Sequence, residues 1–391
     1  MKPTLPTLIV ADYPVGYASG FGETLYNLFS GFPSEKLWSA HPRNIAAAPD
    51  KQIAQSVLLP SPARPRWLNN SASYPLLKVQ QFAAAREAVR LLCDVVEKNS
   101  IRNLLVVPVT PWILSAALAL HKRYPKLNLV FYVMDDWQGH HECHQLPYSF
   151  WRRRLLREAI DRAGTRFAVS REMAAHYEKS FGKSWAVVHN GVPQGRVRAE
   201  TNGHKKPREV MLAGDVNVFR FDAVVAFAEA IERYNQRRQQ AIEFKVMGEV
   251  AEQHRAPLSA LKSAKLLSRR SHAECLDAMK AADLLYLPLA FCKRSARISL
   301  YSMPTKLPEY LASGKSVFFH APEASAAFRV AERYNLTPRL ATIDAHALDA
   351  FVEDWAEGKQ NSADSAARAT NALVQEFDID TLAARFQSAF V

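Results

Sequence analysis

Cysteine is scarce in this chain, and the four residues present, Cys93, Cys143, Cys275 and Cys292, are scattered without a CxxC pair. That spacing excludes a zinc ribbon and a dense disulfide framework, and it fits a reducing cytoplasm. Long apolar runs are missing too. The longest, Leu104 to Leu120, is broken by Pro108 and Pro111, which divides it into a strand, a turn and a helix rather than a membrane span. The run Leu8 to Ala11 near the N-terminus is too short for a signal-peptide core, so no export is expected. Neither repeats nor low-complexity segments occur. Acidic residues are in deficit: 38 Asp and Glu against 50 Lys and Arg give a formal net charge of +12. Such an excess attracts phosphates and anionic lipid head groups, although any single basic residue is equally well a solvated surface group.

Several familiar signatures are absent as well. Gly16-Tyr-Ala-Ser-Gly20-Phe-Gly22 stands between an apolar strand and a helix, but its GxxxGxG spacing is not the GxGxxG of a dinucleotide site. It reads instead as a flexible loop whose small residues let backbone approach a sugar or phosphate, or as a plain tight turn. Gly182-Lys-Ser and Gly314-Lys-Ser both lack the earlier glycine of a P-loop. His140-His141-Glu142-Cys143-His144 misses HExxH because position 145 is Gln, and it reads as an exposed polar loop rather than a metal site. Basic and aromatic nucleic-acid motifs are not found, which excludes that class of partner.

What remains is a chain of 391 residues, 48% hydrophobic and 23% charged, with material for two cores. Short apolar strands alternate with longer helical patterns. Thr7 to Ala11, Leu104 to Val109, Asn128 to Met134, Thr165 to Val169 and Ala186 to His189 read as strands, with helices at Glu23 to Phe29, Val79 to Asn99 and Tyr148 to Ala163. The stretch Gly195 to Glu209 then turns polar and basic, as an exposed connection does. Strands resume at Val210 to Ala213, Phe244 to Met247, Ala264 to Leu267, Leu284 to Leu287 and Ser316 to His320. The expected fold is α/β, with two doubly wound, Rossmann-like domains facing a deep interdomain cleft. The expected bounds are residues 1–198 and 199–370, followed by a C-terminal helix over residues 371–391 that crosses back to the first domain.

The most informative segment is Ser302-Met-Pro-Thr-Lys-Leu-Pro-Glu-Tyr-Leu-Ala-Ser-Gly314. Pro308 is tolerated only in a first helical turn, so a helix starts near Thr305 and stops at Gly314. A helix N-terminus beside Lys306 suits a diphosphate, and Glu309, on the same face, suits a ribose diol. The competing reading is an ordinary exposed Lys and Glu on a short helix.

Larger context favours the first. Ala282-Asp283-Leu-Leu-Tyr-Leu-Pro288 and Ser302-x-Pro304-x-Lys306-x-x-Glu309-Tyr310-Leu-Ala-x-Gly314 resemble the second half of retaining glycosyltransferases of the GT-B fold, family 4 type. Ser170-Arg-Glu-Met-Ala-Ala-His-Tyr177, His189-Asn190-Gly191-Val192 and Gly16 to Gly22 resemble the first half, in the right order. The resemblance implies a metal-independent transfer from a nucleotide diphosphate sugar, with no cofactor. It places Glu309 on the donor ribose, and Ser302, Lys306 and the backbone around Pro304 and Thr305 on the diphosphate. Arg220 falls near a basic pyrophosphate ligand, and Gly20 in the first glycine-rich loop. The family pairs two glutamates eight residues apart, whereas Tyr301 stands eight before Glu309. The usual GRL is Gly214-Asp215-Val216, which leaves Lys293, Arg294 or Arg297 as substitute cations.

On the acceptor side, Asp135-Asp136-Trp137 ends a strand, and the two carboxylates are the catalytic candidates, by orienting sugar hydroxyls or the acceptor; the alternative is a helix N-cap. Phe150-Trp151-Arg152-Arg153-Arg154 and Arg64-Pro-Arg66-Trp67 combine arginine with aromatics, as at an anionic membrane surface, or as a solvated basic face. The expected activity is sugar transfer to a glycan or lipid-linked acceptor in bacterial-type surface polysaccharide assembly, at the cytoplasmic face of the membrane. A nucleotide-sugar epimerase and a catalytically silent sugar-nucleotide binder are the alternatives.

Overall fold

The computed structural model describes residues 4–61, 74–143, 150–194, 208–238, 242–359 and 365–391. The basic loop Arg64 to Leu68, His144, the side chains of His141, Glu142 and Cys143, and most of the connection Gly195 to Glu209 lie outside the described residues.

The strands in both halves are short, and the central ones, such as those with residues 8–11, 104–107 and 284–287, carry apolar side chains on both faces, the pattern of a parallel sheet covered by helices on each side. In the first half these are β1 (Thr7–Ala11), β2 (Leu37–Pro42), β3 (Gln55–Leu59), β4 (Asn103–Val107), β5 (Asn128–Val133), β6 (Thr165–Ala168) and β7 (Ala186–Val187). They form a seven-stranded parallel sheet in the order β3-β2-β1-β4-β5-β6-β7. The helices are α1 (Gly20–Leu28), α2 (Tyr74–Lys98), α3 (Pro111–Arg123), α4 (Trp137–Cys143), α5 (Phe150–Arg162) and α6 (Arg171–Phe181).

The second half repeats the plan with β8 (Arg208–Ala213), β9 (Ile242–Met247), β10 (Ala264–Leu267), β11 (Leu284–Pro288), β12 (Ser316–His320) and β13 (Arg339–Leu340), in the order β10-β9-β8-β11-β12-β13. Its helices are α7 (Phe221–Arg238), α8 (Glu252–Ser259), α9 (His272–Ala281), α10 (Ala296–Tyr301), α11 (Leu307–Ala312), α12 (Ala326–Arg333), α13 (Ala345–Ala356) and α14 (Ser365–Glu376), and α15 (Ile379–Gln387) closes the chain. Both sheets have the doubly wound order, whose reversal lies between β1 and β4 in one and between β8 and β11 in the other. The fold is therefore α/β with two Rossmann-like units.

By compactness the first unit takes Met1–His140, Pro147–Asn190 and Asp380–Val391, and the second takes His141–Leu146 and Gly191–Ile379. The last residues join the first unit through aromatic packing. Phe386 sits 5.2 Å from Phe29, 5.1 Å from Phe167 and 5.8 Å from Tyr132 between ring centroids. Asn103 Nδ2 donates to Phe390 O at 3.1 Å and Asn128 Nδ2 to Ala389 O at 2.8 Å, which fixes the terminal turn at the amino ends of β4 and β5. In the second unit Phe227, Phe244, Tyr286, Phe318 and Phe351 stack into one core under α7 and α13. Arg233 and Arg237 on α7 both reach Asp349 on α13.

Polar strands are where the sequence reading stops short. β2 and β3 carry Ser39, His41, Gln55 and Ser56 and show no apolar run, while β13 has two residues. The loop from Gly16 to Gly22 is pinned rather than flexible: Gly16 N donates to Gly22 O, Ala48 N donates to Gly16 O, and Ser19 Oγ caps α1 by accepting from Gly22 N.

His320 ends β12 fully buried, with Nδ1 2.7 Å from the Tyr286 hydroxyl and Nε2 2.8 Å from Thr342 O. Burial drives its pKa down to about 4, below the value of 6.5 for a free histidine. The unfolded chain therefore binds the proton first, and stability is lost as pH falls from 6.5 toward 4. His320 alone is expected to remove about 2 kcal/mol between pH 7 and pH 5. In urea titrations at the two pH values, His320→Gln should start less stable at pH 7 and lose less on acidification; equal losses in the two proteins would refute this assignment.

Candidate functional site

The carboxyl edge of the second sheet, around the reversal between β8 and β11, is built from the loops that follow these two strands. Gly214 leaves β8 at φ 142°, a conformation that strains any other residue, and a Cβ there would also stand 3.2 Å from Arg220 Nη1. The guanidinium thus packs beneath the glycine. Arg220 Nε is sealed from solvent without a hydrogen-bond partner among the described residues, and burial lowers the pKa of the group, with Tyr310 and Asp215 nearby opposing that shift. A sealed donor without an acceptor is costly unless one can be brought to it.

The two loops are tied together. Asp222, in the first turn of α7, accepts from Phe291 N at 2.9 Å and from Cys292 N at 2.7 Å with one carboxylate oxygen. Ala290 N donates to Phe219 O at 2.9 Å and Ser295 Oγ to Val218 O at 2.7 Å. Asp215 accepts from Glu249 N at 2.9 Å and from Arg269 at 2.8 Å, which fastens the loop after β9 to the same edge.

The motif helix lies against this frame. Ser302 caps α10 in extended conformation, Pro304 O accepts from Leu307 N, and Thr305 and Lys306 form the turn before α11, which Pro308 opens and Gly314 follows. The helix has six residues, so its dipole is small, and charge at its start comes from side chains. Lys306 Nζ donates to Glu309 Oε2 at 2.7 Å, with the Glu309 side chain 11% exposed. Tyr310 is fully buried and accepts from Ala213 N at 2.7 Å, joining α11 to the end of β8. Burial raises the pKa of its hydroxyl, which stays protonated, and Arg220 and Glu309 both lie within electrostatic reach of it. Cys275 on α9 is a third neighbour, its thiol raised by burial and close to Lys306 and Glu309.

The structure therefore brings Arg220, Lys306 and Glu309 around Tyr310. Tyr301 is half-buried at the end of α10, with the Arg297 guanidinium 5.6 Å over its ring. Lys293 and Arg294 are exposed on the turn before α10, and Arg294 helps burial to depress the pKa of His254, which stacks on Phe221 at 3.9 Å. Sequence reasoning missed Asp222 and Asp215, whose partners lie some 30 to 70 positions away. An acid in the first turn of a helix was the visible signal, and it reads equally well as a local cap.

Gly20, Asp135 and Asp136 belong to the first unit. Gly20 opens α1. Asp136 is fully buried: one oxygen accepts from Gly139 N at 2.6 Å in the manner of an N-cap for α4, and the other from the Tyr177 hydroxyl at 3.1 Å. Asp135 is the half-exposed member of the pair. His140 belongs to α4, its N donating to Asp136 O, and no group of three metal-ligating side chains converges among the described residues.

Residues 50–196 match the model of Glycosyltransferase Family 4. No curated protein matches the sequence. Among solved structures, sucrose-phosphate synthase from Thermosynechococcus elongatus is similar with a TM-score of 0.69 at 11% identity, over 97% of this chain and 96% of that one. Anabaena HepE in complex with UDP has a TM-score of 0.62 at 14% identity, over 97% and 98%. The UDP-forming trehalose-phosphate synthase of Burkholderia xenovorans, in complex with glucose-6-phosphate, has a TM-score of 0.64 at 11% identity, over 98% and 99%. At such identities the likeness is one of fold, and the fold is GT-B. Together with the family match it supports a glycosyltransferase.

The tie made by Asp222 can be measured directly. Asp222→Ala leaves two backbone N–H groups without their acceptor and is expected to destabilise the protein by about 2 kcal/mol in urea denaturation. Glu252→Ala, on the exposed face of α8, should stay within about 0.5 kcal/mol. Equal effects of the two would mean that the two loops are not held by this carboxylate.

Proposed function

We propose that the chain is a glycosyltransferase that moves a sugar from a nucleoside diphosphate donor, held by the second unit, to a glycan or lipid-linked acceptor with retention of configuration. The observation that carries the reading is the grouping of the half-buried Arg220, Lys306 and Glu309 around buried Tyr310 at the switch point of the second sheet. Arg220 and Lys306 bind the diphosphate and neutralise the charge that grows on it as the sugar–phosphate bond breaks. Glu309 accepts hydrogen bonds from the ribose diol, with Ser302 and the turn at Pro304 and Thr305 lining the phosphates and Lys293, Arg294 and Tyr301 at the rim. The leaving phosphate takes the acceptor proton on the same face of the sugar, so no protein nucleophile and no metal enters the scheme. Asp135 orients a sugar or acceptor hydroxyl, and Asp136 holds the strand end in place through Gly139 and Tyr177. The UDP bound by HepE and the sugar phosphate bound by the trehalose-phosphate synthase are in keeping with such a donor and acceptor.

Thermal-shift titration with UDP, GDP, ADP, CMP and dTDP tests the donor site, because a ligand that binds only the folded state raises the melting temperature. One diphosphate should give a clear shift, Lys306→Ala should abolish it, and Glu309→Ala should weaken it about tenfold or more in affinity, the loss of a charged hydrogen-bond acceptor. No shift with any nucleotide would sink the transferase reading.

A lipid-linked acceptor, as in surface polysaccharide or glycolipid assembly, accords with the first unit's exposed side chains. At the start of α5 Phe150 is 79% and Trp151 39% exposed, followed by exposed Arg153 and Arg154, and on α2 Phe82 is 67% exposed with Arg86 over its ring. No described helix is long and apolar enough to cross a membrane. Aromatics beside arginines suit the interface of an anionic bilayer. The protein should sediment with phosphatidylglycerol vesicles and not with phosphatidylcholine vesicles, and Trp151→Ser combined with Arg153→Glu should release it; equal binding to both vesicle types would rule out this anchoring.

A further inference from the structure

The second unit holds a buried polar pair that takes no part in the donor scheme. Tyr286 on β11 and His320 on β12 are both fully buried, so neither can touch a ligand. They sit in an aromatic core: Tyr286 lies 4.4 Å from Phe227, and His320 stacks on Phe318 at 5.4 Å with Phe291 at 5.0 Å, between ring centroids. Two apolar side chains would fill the same volume with no polar atom to satisfy, and buried polar groups cost free energy unless they are bonded. Where these bonds go is therefore informative. The Tyr286 hydroxyl is 2.9 Å from Ala223 O and 2.7 Å from His320 Nδ1, while His320 Nε2 is 2.8 Å from Thr342 O.

The protons available fix the arrangement. Burial keeps the imidazole neutral at pH 7, with its pKa lowered to about 4, so it carries a single N–H. Thr342 O can only accept, which puts that N–H on Nε2 and leaves Nδ1 as an acceptor. The one hydroxyl hydrogen of Tyr286 then meets two acceptors, Nδ1 on β12 and Ala223 O in the first turn of α7, and is shared between them. A single oxygen thereby joins β11, β12 and α7. Such a junction inside a core is stiff, because moving any one element leaves a buried polar group unpaired.

The same turn carries residues of the candidate site. Ala223 follows Asp222, whose carboxylate takes the amides of Phe291 and Cys292, and Arg220 directly precedes α7, its carbonyl accepting from Val224 N at 3.0 Å. Asp222 and Arg220 both lie within electrostatic reach of the Tyr286 hydroxyl. We infer that Tyr286 is a positioning residue for the diphosphate site: its hydroxyl, anchored by His320, holds the start of α7, and with it Arg220 and Asp222, against the loop after β11. This role rests on the donor reading proposed above and adds to it two residues that never meet the donor. Arg220 is packed beneath Gly214, and a helix start free to shift would carry the guanidinium away from the place where a diphosphate meets it. His320 acts through Tyr286 alone, since its other nitrogen is bonded to Thr342, ahead of α13.

Isothermal titration of the full chain with UDP, GDP, ADP, CMP and dTDP, well below the melting temperature, tests the role together with amide hydrogen exchange. Tyr286→Phe removes only the hydroxyl and should weaken the nucleotide that binds the wild type about fivefold, the effect of losing one hydrogen bond. His320→Leu should weaken it about twofold to threefold, and should do nothing further in the Tyr286→Phe background, because it acts through the hydroxyl already lost. Phe351→Leu, in the same core, lowers the melting temperature through packing alone and should bind the nucleotide as the wild type does. Without any ligand, the amides of Phe291 and Cys292 should exchange faster in Tyr286→Phe, by more than its loss of global stability accounts for. Unchanged affinity in Tyr286→Phe, or an equal loss in Phe351→Leu, would overturn the positioning role and leave the donor reading intact. A wild-type chain that binds no nucleotide would instead remove the donor reading; faster exchange in Tyr286→Phe would then still support the hold on α7, and unchanged exchange would end it.

Discussion

In each unit one carboxylate ties the loop after the first strand to the loop after the fourth, across the point where strand order reverses. Asp12 accepts from the amides of Val109 and Thr110, and Asp222 accepts from those of Phe291 and Cys292. A parallel sheet splays at this point because its crossovers leave in opposite directions, and it exposes backbone amides that no strand can pair. An acidic side chain satisfies two of them with a charge-assisted bond to each. Everything placed at the two carboxyl edges, Gly16 to Gly22 in one unit and Gly214 to Arg220 in the other, inherits its position from these ties.

The second unit adds a further constraint. Tyr310 is buried with its hydroxyl on Ala213, so α11 cannot move relative to β8 without leaving a buried backbone amide unpaired. Arg220 is fixed by the same strand end, beneath Gly214. The distance between the arginine and the Lys306 and Glu309 pair is thereby set by core packing rather than by flexible surface chain. Such preorganisation is what a charged ligand needs, since side chains that are already in place lose little freedom when it binds.

Much of the fold was legible because its strands are continuous apolar runs. β1, β10 and β12 have the bounds that the sequence indicates, and β5, β8 and β9 differ by one or two residues. β2 and β3 were not legible. Ser39 and His41 are buried in β2 by their place in the sheet, and β3 is an exposed edge, so neither shows the pattern of a core strand. Of the candidate site, the residue types of Lys306, Glu309 and Arg220 were visible in the sequence, and the structure places them near one another. The ties through Asp222, Asp12 and Tyr310 were not, because each joins residues roughly 70 to 100 positions apart and depends on which strands become neighbours. Asp136 stood open between cap and catalyst in the sequence; the structure gives its oxygens to Gly139 and Tyr177 and leaves Asp135 the more exposed carboxylate.

The pairing of Lys306 with Glu309 has a consequence for the proposed donor site. With no anion present, the ammonium and the carboxylate satisfy each other at 2.7 Å, and the mostly buried carboxylate is spared an uncompensated charge. A diphosphate offers Lys306 a doubly charged partner and draws it away, which would strand Glu309 unless a new donor arrives at the same moment. The diol of the ribose, carried by the same nucleotide as that diphosphate, is such a donor. Phosphate binding and ribose binding are then a single exchange of partners, and an inorganic phosphate, lacking the diol, would pay for breaking the pair without replacing its second half. In the proposed site a short helix with a weak dipole would suffice, because discrimination would reside in the exchange between two side chains three residues apart, while the half-buried Arg220 would attract either ligand alike.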